Sequence, residues 1–428
     1  MNTGESDIPE QPHNPALPVV QGGLARRMFF IFALAYMVSY GMRTINAVIA
    51  PDMVADLQLS ASQLGLLASA YFLTFAIMQL PVGILLDRFG PRRVDALLML
   101  ITASGSVLFA VADSFALLWL GRALIGVGVS ACLMAAVQAY ALYFKPHLQG
   151  SMSSWMLTAG SVGAILVTTP VHHAIPVLGW RGVFVVVALM CMVASAALWW
   201  GLPRLPFPGK GTPVAQLLPG YVTIFRSGHF WRVAPLATFV QGGFMAFSGL
   251  WMGPWLQKVQ GLSADETAVA LFWFSLCLMV GYLLTGVISR RLSLRGRSGS
   301  PLIVVGVGSS FVLLFAQVWT QGALGMWGWM LWAFLCSGSI VTYSWCNEAF
   351  PKSLAGRSST ALNLFIFLGA FGVQWGIGIG VDFYVNRGLT QELALEQVML
   401  DVSVLMFLSY LWFVRPGLSG SAGRHQHH

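Results

Sequence analysis

The chain has 428 residues, of which 57% are hydrophobic and only 9% charged, against about a quarter charged in water-soluble globular domains, and this excludes that class. A net charge of +8 would point to nucleic acid in a soluble protein. Here the basic residues sit in short connections between apolar runs, where they report membrane orientation and no nucleic-acid partner.

Residues 1–24 are polar and proline-rich without a short apolar core or small-residue cleavage site, so the first apolar run is expected to stay in the chain. A bilayer core of about 30 Å takes about 20 residues of helix, since buried backbone groups must be satisfied within the segment. Twelve runs qualify: 28–50, 62–86, 93–112, 116–143, 151–175, 180–202, 230–256, 267–290, 301–319, 322–349, 356–382 and 396–414. They predict an all-α polytopic membrane protein of twelve transmembrane helices. With the amino terminus inside, eighteen of the 23 Lys and Arg fall in inner segments. Arg181, Lys258 and Arg387 fall on the outer side, and only Arg43 and Arg122 lie more than two residues inside a span. Both termini are therefore expected to be cytoplasmic, in an inner membrane.

The longest connection, 203–229, carries Pro203, Pro206, Pro208, Pro213 and Pro219. It divides the chain into a tail (1–27), a six-helix bundle (28–202), a cytoplasmic linker (203–229), a second bundle (230–414) and a closing tail (415–428). His425, His427 and His428 of that tail read as a solvated end or an appended remnant, not a metal site. The five cysteines lie inside apolar runs without zinc or disulfide spacing. No metal or cofactor is expected.

Gly83, Asp87, Arg88 and Arg92 recur 203 residues later as Gly286, Arg290, Arg291 and Arg295, with the acid now Arg, each set expected in the loop between the second and third helix of its half. Phe144 to Gly150 (FKPHLQG) recurs 206 later as Phe350 to Gly356 (FPKSLAG). Each half has an even number of spans, so the copies point the same way. A pseudo-two-fold along the membrane normal follows, as in carriers that rock about a midplane site.

The stretch GILLDRFGPRR, Gly83 to Arg93, resembles the signature G-x-L-x-D-R-x-G-x-R-R of the major facilitator superfamily. RALIGVGVS, Arg122 to Ser130, is similar to that family's fourth-helix pattern, and GWRGVF, Gly179 to Phe184, to the segment opening its sixth helix. The resemblance spans 28–414 and implies a secondary transporter. It also implies that Asp87 lies against the amino end of helix eleven, near Gly356 to Ser359, when the carrier faces outward. Unpaired N–H groups and the helix dipole favour such a carboxylate by about 0.3–1 kcal/mol, enough to bias two states without locking either. Arg88, Arg92 and Arg93 either pair across the same seam or face anionic lipid.

Arg43 lies about 22 Å into the first span and about 12 Å before Pro51 by the helical rise. A guanidinium at that depth costs at least about 2.5 kcal/mol on insertion scales, so it should face the bundle interior, a water-filled cavity or a partner. Tyr36, Tyr40, Arg43 and Ala47 share one helical face. A guanidinium fork among aromatics suits a carboxylate, phosphate or sulfonate; bonding to backbone carbonyls or snorkelling outward is the alternative. By the resemblance, helices one, four, seven and ten line the central cavity, making Gln138, Gln241, Tyr343 and Asn347 candidate polar contacts. Asn363 and Gln374 read as packing residues. Arg122 is open between tying helices together and coupling.

None of the fifteen acids falls in the middle third of a span, and Asp95, Asp113, Asp382 and Asp401 sit near helix ends. A buried cation without a buried carboxylate favours an anionic substrate. The exporter signature on helix five is absent, Gly160 to Pro170 reading GSVGAILVTTP, so uptake is favoured over export of amphipathic compounds or siderophores. The first helix loosely resembles organic-anion symporters, but Met42 and Val129 stand where those carry acids, so a proton rides on the substrate, on a peripheral acid, or not at all. A nitrate carrier is disfavoured, since helix eight lacks a second buried Arg. No hydrolase or metalloprotease motif occurs, and His172 and His173 have no matching partners. Gly126, Gly128 and Ala131 fall in an apolar helix, not after a strand, which removes the dinucleotide reading. Gly372, Gly376 and Gly380 suggest close helix packing. The expectation is a monomeric organic-anion transporter in the bilayer, with a non-transporting sensor of the same fold as the other class.

Overall fold

A computed structural model describes residues 18–144, 146–207, 214–295, 301–351 and 354–415. His425, His427, His428, Lys145, Lys210, Arg297, Lys352 and Arg424 lie outside the described residues. Among those described, every regular element is helical.

Helix α1 is Gly22–Thr44 and, past a bend at Ile45, Asn46–Leu57. Ile45 keeps helical angles (φ −56°, ψ −33°), so the axis bends without unravelling. Pro51 contributes by withholding an N–H from the ladder of the second piece. Next come α2 (Ala61–Phe89), α3 (Pro91–Val111) and α4 (Phe115–Gly128 with Cys132–Tyr143). Helix α5 (Pro146–Leu166) runs on past Thr168 into Thr169–Ala196, in which Gly179, at φ 66°, marks the turn into α6; Ala197–Gly201 completes α6. The second half holds α7 (Gly228–Lys258), α8 (Ala264–Leu294), α9 (Leu302–Trp319), α10 (Gly325–Cys336, then a tight Ser337–Ile340 turn and Val341–Glu348), α11 (Ala355–Asn386) and α12 (Gln391–Val414).

The twelve apolar runs thus become twelve membrane elements in two six-helix bundles, with α1 starting six residues earlier than its run. The 203–229 connection is not all loop, because Val214–Phe225 forms a helix of its own. Nor does the Asp87–Arg93 signature form a loop. Asp87 and Arg88 close α2, Gly90 turns the chain at φ 80°, and Arg92 and Arg93 open α3 behind Pro91. A proline at the first helical position and a glycine just past a helix end let two helices abut almost without a connection. In the second copy, Gly286, Arg290 and Arg291 likewise lie inside α8.

The first and last described residues share one face, here the terminal face. The Val20 amide donates to the Tyr143 carbonyl (2.8 Å) at the end of α4, and Arg232 Nε at the start of α7 donates to the Phe413 carbonyl (2.8 Å). The ends of α1 and α2 where they meet lie on the opposite, far face.

Within the first bundle, Gly126 and Gly128 are where α4 packs closely on its neighbours. A Cβ on Gly126 would sit 2.4 Å from the Tyr71 carbonyl of α2, and one on Gly128 would sit 2.5 Å from the Leu98 carbonyl of α3. Of the three glycines expected at close contacts on α11, Gly380 meets Val398 of α12 (2.7 Å), whereas Gly372 and Gly376 have nothing within 4 Å and lie exposed; Gly369 and Gly378 make further close approaches.

Candidate functional site

The site forms where the two bundles meet along α2 and α11. These helices run antiparallel and in continuous register. From the far face inward, Gly378 lies against Ala61, Gly65 against Gln374, Phe75 stacks on Phe367 (4.1 Å), and Asn363 Nδ2 donates to Gln79 Oε1 (2.7 Å).

Arg43 projects to this seam from the last turn of α1, just before the bend. Its guanidinium carbon lies 4.8 Å from the Tyr40 ring centroid, 5.1 Å from that of Phe367 and 5.7 Å from that of Phe75. It therefore touches aromatic faces from both bundles, each such contact contributing about 0.5–1 kcal/mol. The side chain is half-buried, and its Nε has no hydrogen-bond partner. Among the described residues the ion pairs are His172–Asp265 and Arg181–Asp56, so no carboxylate neutralises Arg43. Tyr36 and Tyr40 are edge-to-face at 6.0 Å, as their spacing on α1 requires, and Gly160 of α5 makes room for both rings. Ala47, placed on the same face by spacing, lies beyond the bend and packs its carbonyl on Gly253.

The sequence reading missed Phe75 and Phe367, which complete the aromatic ring, and Tyr282 of α8, which adjoins Tyr40 and Arg43. Their types carried no signal among so many aromatics. Asn363, read as a packing residue, is the polar hinge of the seam: it accepts from the Tyr343 hydroxyl (2.8 Å) while donating to Gln79.

The remaining polar candidates do not converge on Arg43. Gln241 donates to the Ser339 carbonyl (3.0 Å) and Thr342 Oγ1 (2.7 Å), tying α7 to α10. Asn347 donates to Ser359 (2.9 Å) at the start of α11. Gln138 donates to Asp87 Oδ1 (2.9 Å) near the terminal face, which places it with the residues expected at the gate. Of those, Arg92 bonds the Trp199 carbonyl (3.1 Å from Nε) within its own bundle, Arg88 lies over Phe89 (5.4 Å), and Arg93 is exposed.

Arg122 is 1% exposed and donates through Nη2 to the Met42 carbonyl (2.8 Å), its plane near Tyr71 (5.2 Å). It clamps α4 to the residue preceding Arg43. Its Nε and Nη1 have no partner. Asp95, near the start of α3, is fully buried, with Cys132 of α4 as its polar neighbour and, among the described residues, no cation paired with it. Position near a helix end did not reveal this, because Asp95 lies on the face of α3 turned toward Cys132 of α4, whereas Arg93 two residues earlier is exposed.

At the far face, Arg181 Nη1 and Trp180 Nε1 (3.1 Å) both donate to Asp56 Oδ2. Asp56 lies beyond the spans, and Arg181 first, then Trp180, hold its carboxyl below the usual carboxylate range.

Residues 32–373 match the sequence profile of the Major Facilitator Superfamily. The chain belongs to that superfamily. This Major Facilitator Superfamily chain is similar to the Probable sulfoacetate transporter SauU of Cupriavidus necator, 26% identical over 322 residues covering 69% of this chain and 72% of that protein. It is similar also to the Membrane sensor protein UhpC of Escherichia coli, 24% identical over 417 residues covering 90% and 92%. In fold it resembles a bacterial homolog of the human lysosomal transporter Spinster in an inward-facing, unoccupied conformation, with a TM-score of 0.77 at 18% identity over 92% of this chain and 97% of that one. The superfamily is one of multi-pass membrane transporters, not of enzymes.

Proposed function

We propose that the chain is a secondary active transporter that takes up a small organic anion, a carboxylate by preference, across the inner membrane by alternating access, as a monomer with both termini cytoplasmic. One observation carries this: Arg43 stands half-buried on the seam between the bundles, ringed by Tyr40, Phe75 and Phe367, with Nε unpaired and no ion-pair partner among the described residues. A guanidinium so placed offers parallel N–H donors to an anion in surroundings where a charge-assisted bond is strong. Tyr36 and Tyr40 bound its α1 side, while Tyr343 and Asn363 supply neutral polar contacts below it. The sulfonate-bearing carboxylate named for SauU belongs to the same ligand class.

Asp87 is proposed as the gate at the terminal face, with Arg88, Arg92 and Arg93 flanking it, and Arg122 as the clamp that fixes the bend beneath Arg43. UhpC is named a sensor, and this favours one second reading, that the chain binds its anion without moving it. Uptake into sealed proteoliposomes across a carboxylate panel, with and without a pH gradient, separates the two. Accumulation means a carrier, its dependence on the gradient means proton coupling, and saturable binding without uptake means a sensor. Uptake of cations but no anion would overturn the proposal.

A further inference from the structure

The amino end of α2, at the far face, is capped by both halves of the protein. Ser60 and Gln63 form a capping box within the chain, the Gln63 amide donating to Ser60 Oγ (3.2 Å) and the Ser60 amide to Gln63 Oε1 (3.0 Å). The two intervening amides are met from the other bundle. Ala61 N–H donates to Asp382 Oδ1 (3.1 Å) and Ser62 N–H to Asp382 Oδ2 (2.8 Å). The first turn of α2 has no acid of its own, so the charge that its dipole favours comes from the carboxyl end of α11. Gly378, one turn before Asp382, permits the approach, since a Cβ there would sit 2.3 Å from the Ala61 carbonyl.

The same seam has the same parts at its other end. Among the described residues, the amino end of α11 has neither a side-chain cap nor an acid in its first turn. Along the antiparallel register, eight residues beyond Gln79 comes Asp87, and eight before its partner Asn363 comes Ala355, the first residue of α11. Register therefore puts Asp87 level with the uncapped end, yet here it accepts from Gln138 of its own bundle. One end of the seam is latched and the other released.

We propose that Asp382 is a positioning residue for the transport cycle, forming with Asp87 a reciprocal pair of latches in which each of α2 and α11 carries near its carboxyl end the aspartate that caps the amino end of the other, one engaged at a time. The Asp382 half stands on a contact present in the structure; the alternation rests on the gating role proposed for Asp87. Neither depends on which substrate Arg43 holds.

The test is a distance measurement in substrate-free protein reconstituted in lipid nanodiscs, with spin labels at Asp113→Cys and Ala323→Cys, exposed far-face positions in different bundles. Asp382→Asn is expected to lower the ratio of far-face-closed to far-face-open protein by about 2- to 5-fold, the usual weight of a charge at a helix terminus. Asp87→Asn is expected to raise that ratio, and the double variant to fall between the two. Gly378→Ala, which leaves both carboxylates in place, should open the far face as Asp382→Asn does. An unchanged distribution in Asp382→Asn, or a shift in the direction of Asp87→Asn, overturns the Asp382 latch. A normal Asp382→Asn shift with an inert Asp87→Asn overturns the reciprocity alone.

Discussion

Truncating Arg43 separates a binding role from a structural one, because the two move different observables. In the unliganded protein, Arg43→Ala loses three aromatic contacts worth about 0.5–1 kcal/mol each. It also removes a cation whose placement in a span costs about 2.5–3.5 kcal/mol. These oppose each other, so stability without ligand should move only between about 0.5 kcal/mol lost and about 2 kcal/mol gained. With the anion bound, one side of a desolvated charge pair disappears, a loss of about 2–5 kcal/mol. At 1.4 kcal/mol per decade, affinity should fall roughly 30- to 4,000-fold. Arg43→Lys keeps the charge but not the fork, and a lost charged hydrogen bond of about 1.5–3 kcal/mol corresponds to roughly 10- to 100-fold. The assay is scintillation-proximity binding of a labelled carboxylate to purified protein, with ligand-induced thermal shifts as a second readout. Unchanged affinity in Arg43→Ala refutes the anion site. A large loss of unliganded stability with intact affinity assigns Arg43 to helix packing instead.

Asp87→Asn should strongly reduce transport in vesicles while leaving membrane insertion intact, and normal turnover would count against its gating role. Gly163→Val should lower the unfolding temperature in detergent, because a Cβ at Gly163 would meet the Met37 carbonyl at 2.1 Å and forced overpacking costs about 1–3 kcal/mol; an unchanged melting curve would show that α1 and α5 can part freely. The Asp56 carboxyl is held below its ordinary range by Arg181 and Trp180. Its stabilisation is therefore fully present above the ordinary carboxylate range and is lost as pH falls through the lowered folded-state value. Acid titration of the α1–α6 contact, followed by fluorescence of Trp180 in a variant lacking other emitters near it, should show that low transition, and Asp56→Asn should abolish it.

Sequence alone determined the class, the span count and the internal repeat. Lipid admits few backbone solutions, and twelve apolar runs of bilayer length leave little choice. It singled out Arg43 for the same reason, since a guanidinium inside an apolar run demands an explanation at the level of single residues. Of the α11 glycines read as helix contacts, Gly380 makes one and Gly372 and Gly376 do not, because periodicity fixes a face without saying whether a neighbour covers it.

Tertiary structure decided everything that depends on α2 meeting α11. Phe75 and Phe367 are unremarkable aromatics until the seam stacks them beneath Arg43. Asn363 becomes a cross-bundle bond only in that register. Gln138 leaves the expected cavity for Asp87, and Asp95 proves buried although it lies near a helix end. Asp382, 320 residues from Ser62 along the chain, completes that helix's amino cap. The physical reason is common to all of these: spans are set by each segment's exchange of water for lipid, whereas partners are set by which faces two separately threaded bundles bring within hydrogen-bond reach.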